Sequence, residues 1–328
     1  MITSSDFIHI PYNRDLTEGG IAFALRALPF THFRARSSAY DRLRRIAASV
    51  AVELAFRRYL SEQKIPFVVK SATPFTDPDH YNVALGSRRC DIKLFLIAYR
   101  KQVDEMENNP AVALNAPALV PSDQHAAEGY SDKDISLFAF LAGSVAASLA
   151  DMQKARLANQ SEYLIHVMPE AWIRPSQWNP LGRPVSKSES GEAQIIEIGG
   201  QTASREMRSV TVMLPPRTRI QLDEEFYSVA YTHSKSQPAA RVGIHNSLLQ
   251  ATSIMDPTTW GNLWIHGTEI LLTGFITRRE FNSMAEPIHP GARVFEHERT
   301  HMKNIAVPVS ELRPLSELFE QVKAYAGN

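Results

Sequence analysis

Residues 70–98 read KSATPFTDPDHYNVALGSRRCDIKLFLIA, and the way this stretch pairs with itself decides the fold. An acidic corner, Asp77-Pro78-Asp79, opens it. An apolar-alternating run follows, then Gly86-Ser87, then a second run that carries Asp91-Ile92-Lys93. Two runs of β-type residues about a Gly-containing turn predict a hairpin. Side chains two apart on a strand share a face, so Asp91 and Lys93 project together. Cys90, Ile92, Leu94 and Leu96 then face the other way, into a core. A carboxylate beside an ammonium on an otherwise apolar strand is costly to bury without a purpose.

Two carboxylates and a lysine converging on one point make a hard-cation site: carboxylate oxygens suit Mg²⁺, which can also accept a phosphate oxygen. The hairpin register decides which acids converge. A strict two-residue turn pairs Leu85 with Arg88, sets Asn82 opposite Asp91, and puts Asp79 across from Leu94 on the wrong face. A three-residue loop or a bulge moves Asp79 onto the face of Asp91 and Lys93, and a position just before the strand frees it from parity altogether. Asp77 is the second candidate for that role.

Pro78-Asp79, eleven residues, then Asp91-Ile92-Lys93 resembles the PD-(D/E)xK nuclease signature of restriction endonucleases, junction resolvases and phage-defence nucleases. The resemblance implies an α/β (α+β) fold with a restriction-endonuclease-like mixed sheet flanked by helices. It implies a Mg²⁺-dependent endonuclease acting on DNA in restriction or anti-phage defence, with Mn²⁺ as a substitute ion. Asp79 and Asp91 would hold the metal and Lys93 would polarise the phosphate or orient water. Family members often draw a further acid from a helix ahead of the hairpin, and Glu53 answers to it. A homodimer or a defence partner protein is the family-level expectation for assembly. Phrases near the C-terminus, GFIT and VPVSELRPL, are similar to the tail of such domains.

Residues 38–62 predict a long helix with Ser37 or Ser38 as N-cap and Ile46, Ala47, Val50, Ala51 and Leu54 as its apolar stripe. Glu53 falls within that stripe, where it needs a partner: a metal ion, or Arg57 as a salt bridge. Arg88 and Arg89 at the hairpin tip, Lys70 before the corner, and Arg42 and Arg45 on the helix are candidate phosphate contacts. For the helix arginines, the alternative is a solvated face balanced by Asp41.

The 328 residues suffice for one large domain or two ordinary ones, and 44% apolar with 21% charged residues is globular composition. A formal net charge of zero rules out bulk basicity, so nucleic acid must be met by local patches. One cysteine excludes internal disulfides, and Cys90 on an apolar strand reads as a core residue. The N-terminus lacks the basic and apolar regions of a signal peptide, and no run reaches membrane-span length, so the expectation is a cytoplasmic protein. After Tyr99 the chain turns polar and Pro-rich and reads as a surface connection. DISLFAFLA (134–142) and Tyr163–Met168 read as further strands of the nuclease sheet. Residues 1–178 are expected to form the N-terminal part of the core, 179–250 an inserted β-rich subdomain, and 251–328 the completing part. Tyr227 and Tyr231 alternate on one predicted strand, the spacing of a core face or of a base-stacking platform.

His297-Glu298-Arg299-Thr300-His301 matches H-E-x-x-H, which on a helix would hold Zn²⁺ for a metallopeptidase. Arg299 inside the motif, and flanks without an apolar stripe, weigh against a zincin helix. Three readings therefore stand: a Mg²⁺ endonuclease, a zinc peptidase, and a nuclease-derived module that binds nucleic acid or a partner without cutting.

Overall fold

The computed structural model describes residues 2–31, 38–69, 83–126, 131–294, 300 and 302–326. The chain is a mixed α/β protein made of two compact units. The first contains Met1–Gly20, Ala48–Ser144 and His266–Asn328; the second contains Ile21–Ala47 and Val145–Ile265.

The first unit is built on a five-stranded mixed sheet in the order Ile8–Pro11, Ile265–Thr277, Ile135–Val145, Arg88–Ile97, Val83–Leu85. The predicted hairpin is its edge. Leu85 pairs with Arg88, Ala84 with Arg89 and Val83 with Cys90, so the turn has two residues. Gly86 and Ser87 both have positive φ, 53° and 63°, the primed turn whose twist matches that of paired strands. The Arg88–Ile97 strand then runs parallel to Ile135–Val145, Cys90 beside Ile135 through Ile97 beside Ala142. A parallel pair needs a crossover, and the helix Arg100–Asn108 lies within it. The described residues 100–126 therefore form regular structure rather than a surface connection. They form that helix, the strand Pro117–Pro121 and the short helix Ser122–His125. Ala113, Ala116, Ala118 and Val120 are buried in one cluster with Phe95, Phe138 and Phe140. Small residues let this segment pack close, and Asn304–Pro308 pairs with its strand.

The face assignment of the Arg88–Ile97 strand changes along its length. Cys90 is fully buried, but Ile92, Leu94 and Leu96 are half-buried, whereas Phe95 and Ile97, on the face of Asp91 and Lys93, are core residues. Both faces of a strand with neighbours on each side are covered, so alternation alone does not separate inside from outside.

The helix Ala39–Glu62 starts where predicted. Ser38 Oγ accepts from the Asp41 amide at 3.0 Å and donates to Asp41 Oδ2 at 2.7 Å. Its buried stripe is Leu43, Ala47, Ala51, Ala55 and Phe56, with Ile46, Val50 and Leu54 half-buried beside it.

The second unit holds two antiparallel sheets. One has the order Gly261–Asn262, Leu164–Val167, Ser228–Ser234, Gln194–Gln201, Met207–Leu214. The other has the order Arg219–Gln221, Val185–Ser188, Val242–Asn246, Ala251–Met255. Its boundaries differ from the expected 179–250 because Leu164–Val167 pairs here, not in the sheet of the first unit, and Asn262 closes the unit from the other end. Asn262 Oδ1 accepts from the amides of Tyr163 (2.9 Å) and Trp264 (3.0 Å). Arg44, on the same helix as Arg42 and Arg45, is 4% exposed and ties this unit together. Its guanidinium donates to the carbonyls of Asn262 (2.9 Å) and Ala146 (3.2 Å) and pairs with Asp41 at 2.7 Å.

Candidate functional site

Asp91 and Lys93 share a face of the Arg88–Ile97 strand, as alternation requires, and form an ion pair, Nζ to Oδ2 2.5 Å. Their side chains are 28% and 15% exposed, so the pair is partly withdrawn from water yet reachable. Lys93 Nζ also donates to Gln124 Oε1 at 3.0 Å. The two residues line a shallow cleft with an enclosed volume of about 30 Å³. Arg89 enters from the same strand face, Gln124 and His125 from the short helix Ser122–His125, and Arg278 from the helix Arg278–Met284.

A second carboxylate in this cleft is Asp134, which sequence reading took only as the start of a strand. It is 8% exposed. One oxygen accepts from the Arg89 amide at 3.2 Å and the other from the Ser131 amide at 2.7 Å. The parallel register explains the approach: Cys90 stands beside Ile135, so the residue before each is a neighbour of the other. The signal was present in the sequence as an acid at the mouth of an apolar central strand. Only the pairing shows that this mouth meets Asp91.

The remaining expected residues fall as follows. Glu53 is half-buried on the long helix and pairs with Arg57 one turn on. It is not among the residues that line the cleft. Arg88 is half-buried, and burial, with Arg313 nearby, pulls its guanidinium below its usual pKa. Arg42 and Arg45 belong to the second unit, not to the cleft-bearing one. Asp79, Asp77, Lys70, and His297, Glu298 and His301 of the H-E-x-x-H motif lie outside the described residues. Among the described residues no group of three or more His, Cys, Asp and Glu side chains could hold a metal ion. Cys90 is buried, and desolvation pushes its thiol well above the usual range, as a core residue requires.

The donor chemistry of the cleft fits part of a Mg²⁺ shell. Asp91 offers a reachable carboxylate and Asp134 a second one held rigid by two amides. Among the described residues no helix is long and apolar enough to cross a membrane.

No family model matches this chain, and no curated protein matches it. A solved structure described as "CC2D1B coordinates ESRCT-III activity during the mitotic reformation of the nuclear envelope" aligns at TM-score 0.12 and 7% identity, over 93% of this chain and 91% of that one. Likeness at that level carries no argument about fold or function.

Proposed function

We propose that the first unit is a Mg²⁺-dependent endonuclease of the PD-(D/E)xK type that hydrolyses DNA, serving restriction or anti-phage defence. The observation that carries this reading is the Asp91–Lys93 pair. A carboxylate and an ammonium sit two residues apart on a strand face otherwise committed to the core, at a cleft that also holds Asp134. Burial of this kind is unfavourable for an idle ion pair and useful for one that works on a phosphate.

Asp91 would hold the ion, with Asp79 as the partner acid that the motif supplies and Asp134 fixing the start of the strand; with the two-residue turn, Asp79 serves from ahead of the strand Val83–Leu85, where parity does not bind it. Bound there, Mg²⁺ would acidify a water and offset phosphate charge. Lys93, steered by Gln124, donates to the phosphate oxygen on which charge develops or orients the attacking water. Arg89 and Arg278 line the cleft as cationic side chains for the flanking backbone. Glu53 remains the third acid expected from the motif, and it pairs with Arg57.

The test is incubation of the full chain with supercoiled plasmid and Mg²⁺ or Mn²⁺, beside Asp91→Ala and Lys93→Ala, with Mn²⁺-induced thermal shift as a second readout. The expected result is nicking or cutting by the parent, a loss of about 10³-fold or more in both variants, and a Mn²⁺ shift absent from Asp91→Ala. Cutting by Asp91→Ala at the parental rate refutes the reading. So does a parent that neither cuts nor shifts with Mn²⁺. Peptidase activity abolished by Glu298→Ala would replace it with the zinc peptidase.

A further inference from the structure

The second unit has a cavity of its own, of about 400 Å³, within the roughly 300–1,000 Å³ typical of small-molecule sites. Its floor is Glu197, on the strand Gln194–Gln201 and directly across from His233 on one neighbour and Thr211 on the other. A glutamate in the middle of a five-stranded antiparallel sheet is out of place unless it is engaged. Tyr231 donates its hydroxyl to Glu197 Oε1 at 3.0 Å, and His233 Nδ1 stands 4.0 Å from Oε2, a close polar approach longer than a hydrogen bond. Contacts from His233 first, then from Tyr231 and Ser209, hold the Glu197 carboxyl below its usual pKa, so it is an anion at neutral pH. Burial pushes the Tyr163 and Tyr231 phenols upward, which keeps them protonated.

The aromatic walls are equally fixed. Tyr163 stacks on His233, ring centroids 3.6 Å apart and planes 7° from parallel, and also lines the cavity. The Tyr231 ring lies over Gly199, where a Cβ would fall 2.2 Å from a ring carbon, so the glycine is what lets the ring lie flat on the sheet. His233 is 6% exposed and its Nε2 is buried with no hydrogen-bond partner among the described residues. The rim carries two guanidinium groups. Among the described residues Arg26 donates from its Nε to the Ala22 carbonyl at 3.2 Å, and Arg208 pairs one arm with Glu224 at 3.0 Å.

A fixed carboxylate, aromatic rings and two arginines lining one cavity suit a flat heterocycle with N–H donors attached to a phosphate. We propose that this cavity binds a single nucleotide, its base stacked on Tyr163 with its N–H edge on Glu197 and its phosphate on Arg26 and Arg208. Guanine is the base of choice because its ring N–H and amino group are adjacent donors that match two carboxylate oxygens. Uracil and thymine flank their single N–H with carbonyls that a carboxylate repels. The inference does not depend on the cleft of the first unit.

The test is calorimetric titration of the full chain with GMP, AMP, CMP and UMP in turn, then with guanosine, and with a thymidine decamer carrying one central dG. GMP binding tightest and UMP weakest is expected. Glu197→Gln should weaken GMP by tenfold or more, the loss of one charge-assisted contact. Arg26→Ala, an exposed change that folding tolerates, should weaken GMP severalfold and leave guanosine unchanged. Asp91→Ala should bind GMP as the parent does, which separates this site from the nuclease reading. Tighter binding of the decamer than of GMP assigns the nucleotide to a strand; equal or weaker binding assigns it to the free pool. Absence of saturable heat with all six probes overturns the proposal. So does GMP binding unaffected by both Glu197→Gln and Arg26→Ala in chains that melt as the parent does.

Discussion

Replacing Asp134 by Ala separates what this residue does for the fold from what it lends the cleft. Its carboxylate accepts two backbone amides, Arg89 at 3.2 Å and Ser131 at 2.7 Å, and is 8% exposed. Hydrogen bonds to a charged acceptor contribute about 1.5–3 kcal/mol each. The 3.2 Å bond belongs at the low end of that range, and an Ala cavity beside an open cleft admits water to the freed amides. The expected cost is therefore about 2–4 kcal/mol, below the simple sum. Asp134→Asn keeps one acceptor oxygen and should cost about half as much. The assay is urea unfolding followed by circular dichroism, with the slope of stability against urea held as a control on the unfolded state. If Asp134→Ala unfolds within about 0.5 kcal/mol of the parent, as surface changes do, the two amide bonds do not hold the strand start and the argument from register fails. Metal-dependent cutting measured on the Asn variant at a temperature where it is fully folded then reports the cleft alone.

Three other outcomes follow from the geometry. Arg44→Ala removes a 4% exposed guanidinium that satisfies two carbonyls, and a loss of about 2–4 kcal/mol in urea unfolding is expected, with Arg44→Lys recovering only part because a single ammonium cannot fork to both. For Glu280, burial works upward, but the Thr277 hydroxyl (2.6 Å) and amide (3.0 Å), with Arg313 (3.1 Å), outweigh it and hold the carboxyl low. Its stabilisation is present above the unfolded pKa of about 4.3 and is lost as pH falls through the lower folded value. Glu280→Gln should flatten that part of an acid unfolding curve. For His166, burial depresses the imidazole against a smaller opposing contact with the Thr259 backbone. The unfolded chain then takes up the proton first, so this residue's share of stability is complete above about pH 6.5 and declines below it. Thermal melts at pH 7.5 and 5.5 should show a smaller difference for His166→Asn than for the parent.

The hairpin was readable because its signals are local: Gly86-Ser87 specifies a tight turn, and period-two alternation placed Asp91 with Lys93. The cap at Ser38 and the strands from Gln194 to Asn246 were readable for the same reason. What escaped depends on partners distant in sequence. Asp134 joins the cleft only through parallel pairing across an intervening helix. Arg44 reads as a surface cation until Asn262 and Ala146 supply its acceptors. The Pro-rich region after Tyr99 reads as a connection because its buried side chains are small; Ala113, Ala116 and Ala118 carry little hydropathy, yet packing density, not hydropathy, makes them core. Glu197 and Tyr163 carry no motif, and their meeting depends on which strand lies beside which.

The order in which the first sheet can be completed during synthesis also follows from its pairing. Ile8 pairs with Leu272, 264 residues later (272 − 8), and among the described residues the strand bearing Leu272 alone joins Ile8–Pro11 to the rest of that sheet. At about 5–20 residues per second a ribosome takes roughly 13–53 s to bridge that gap. Throughout that interval Ile8–Pro11 has no strand partner among the described residues, and the sheets of the second unit, which close within residues 164–262, are complete before it pairs. Proteolysis of chains stalled before residue 265 should cut near the N-terminus while sparing the β-rich middle. Ile8–Pro11 thus waits for a partner made long after it, and its exposure in the meantime is set by the speed of translation rather than by the strength of the pairing it eventually makes.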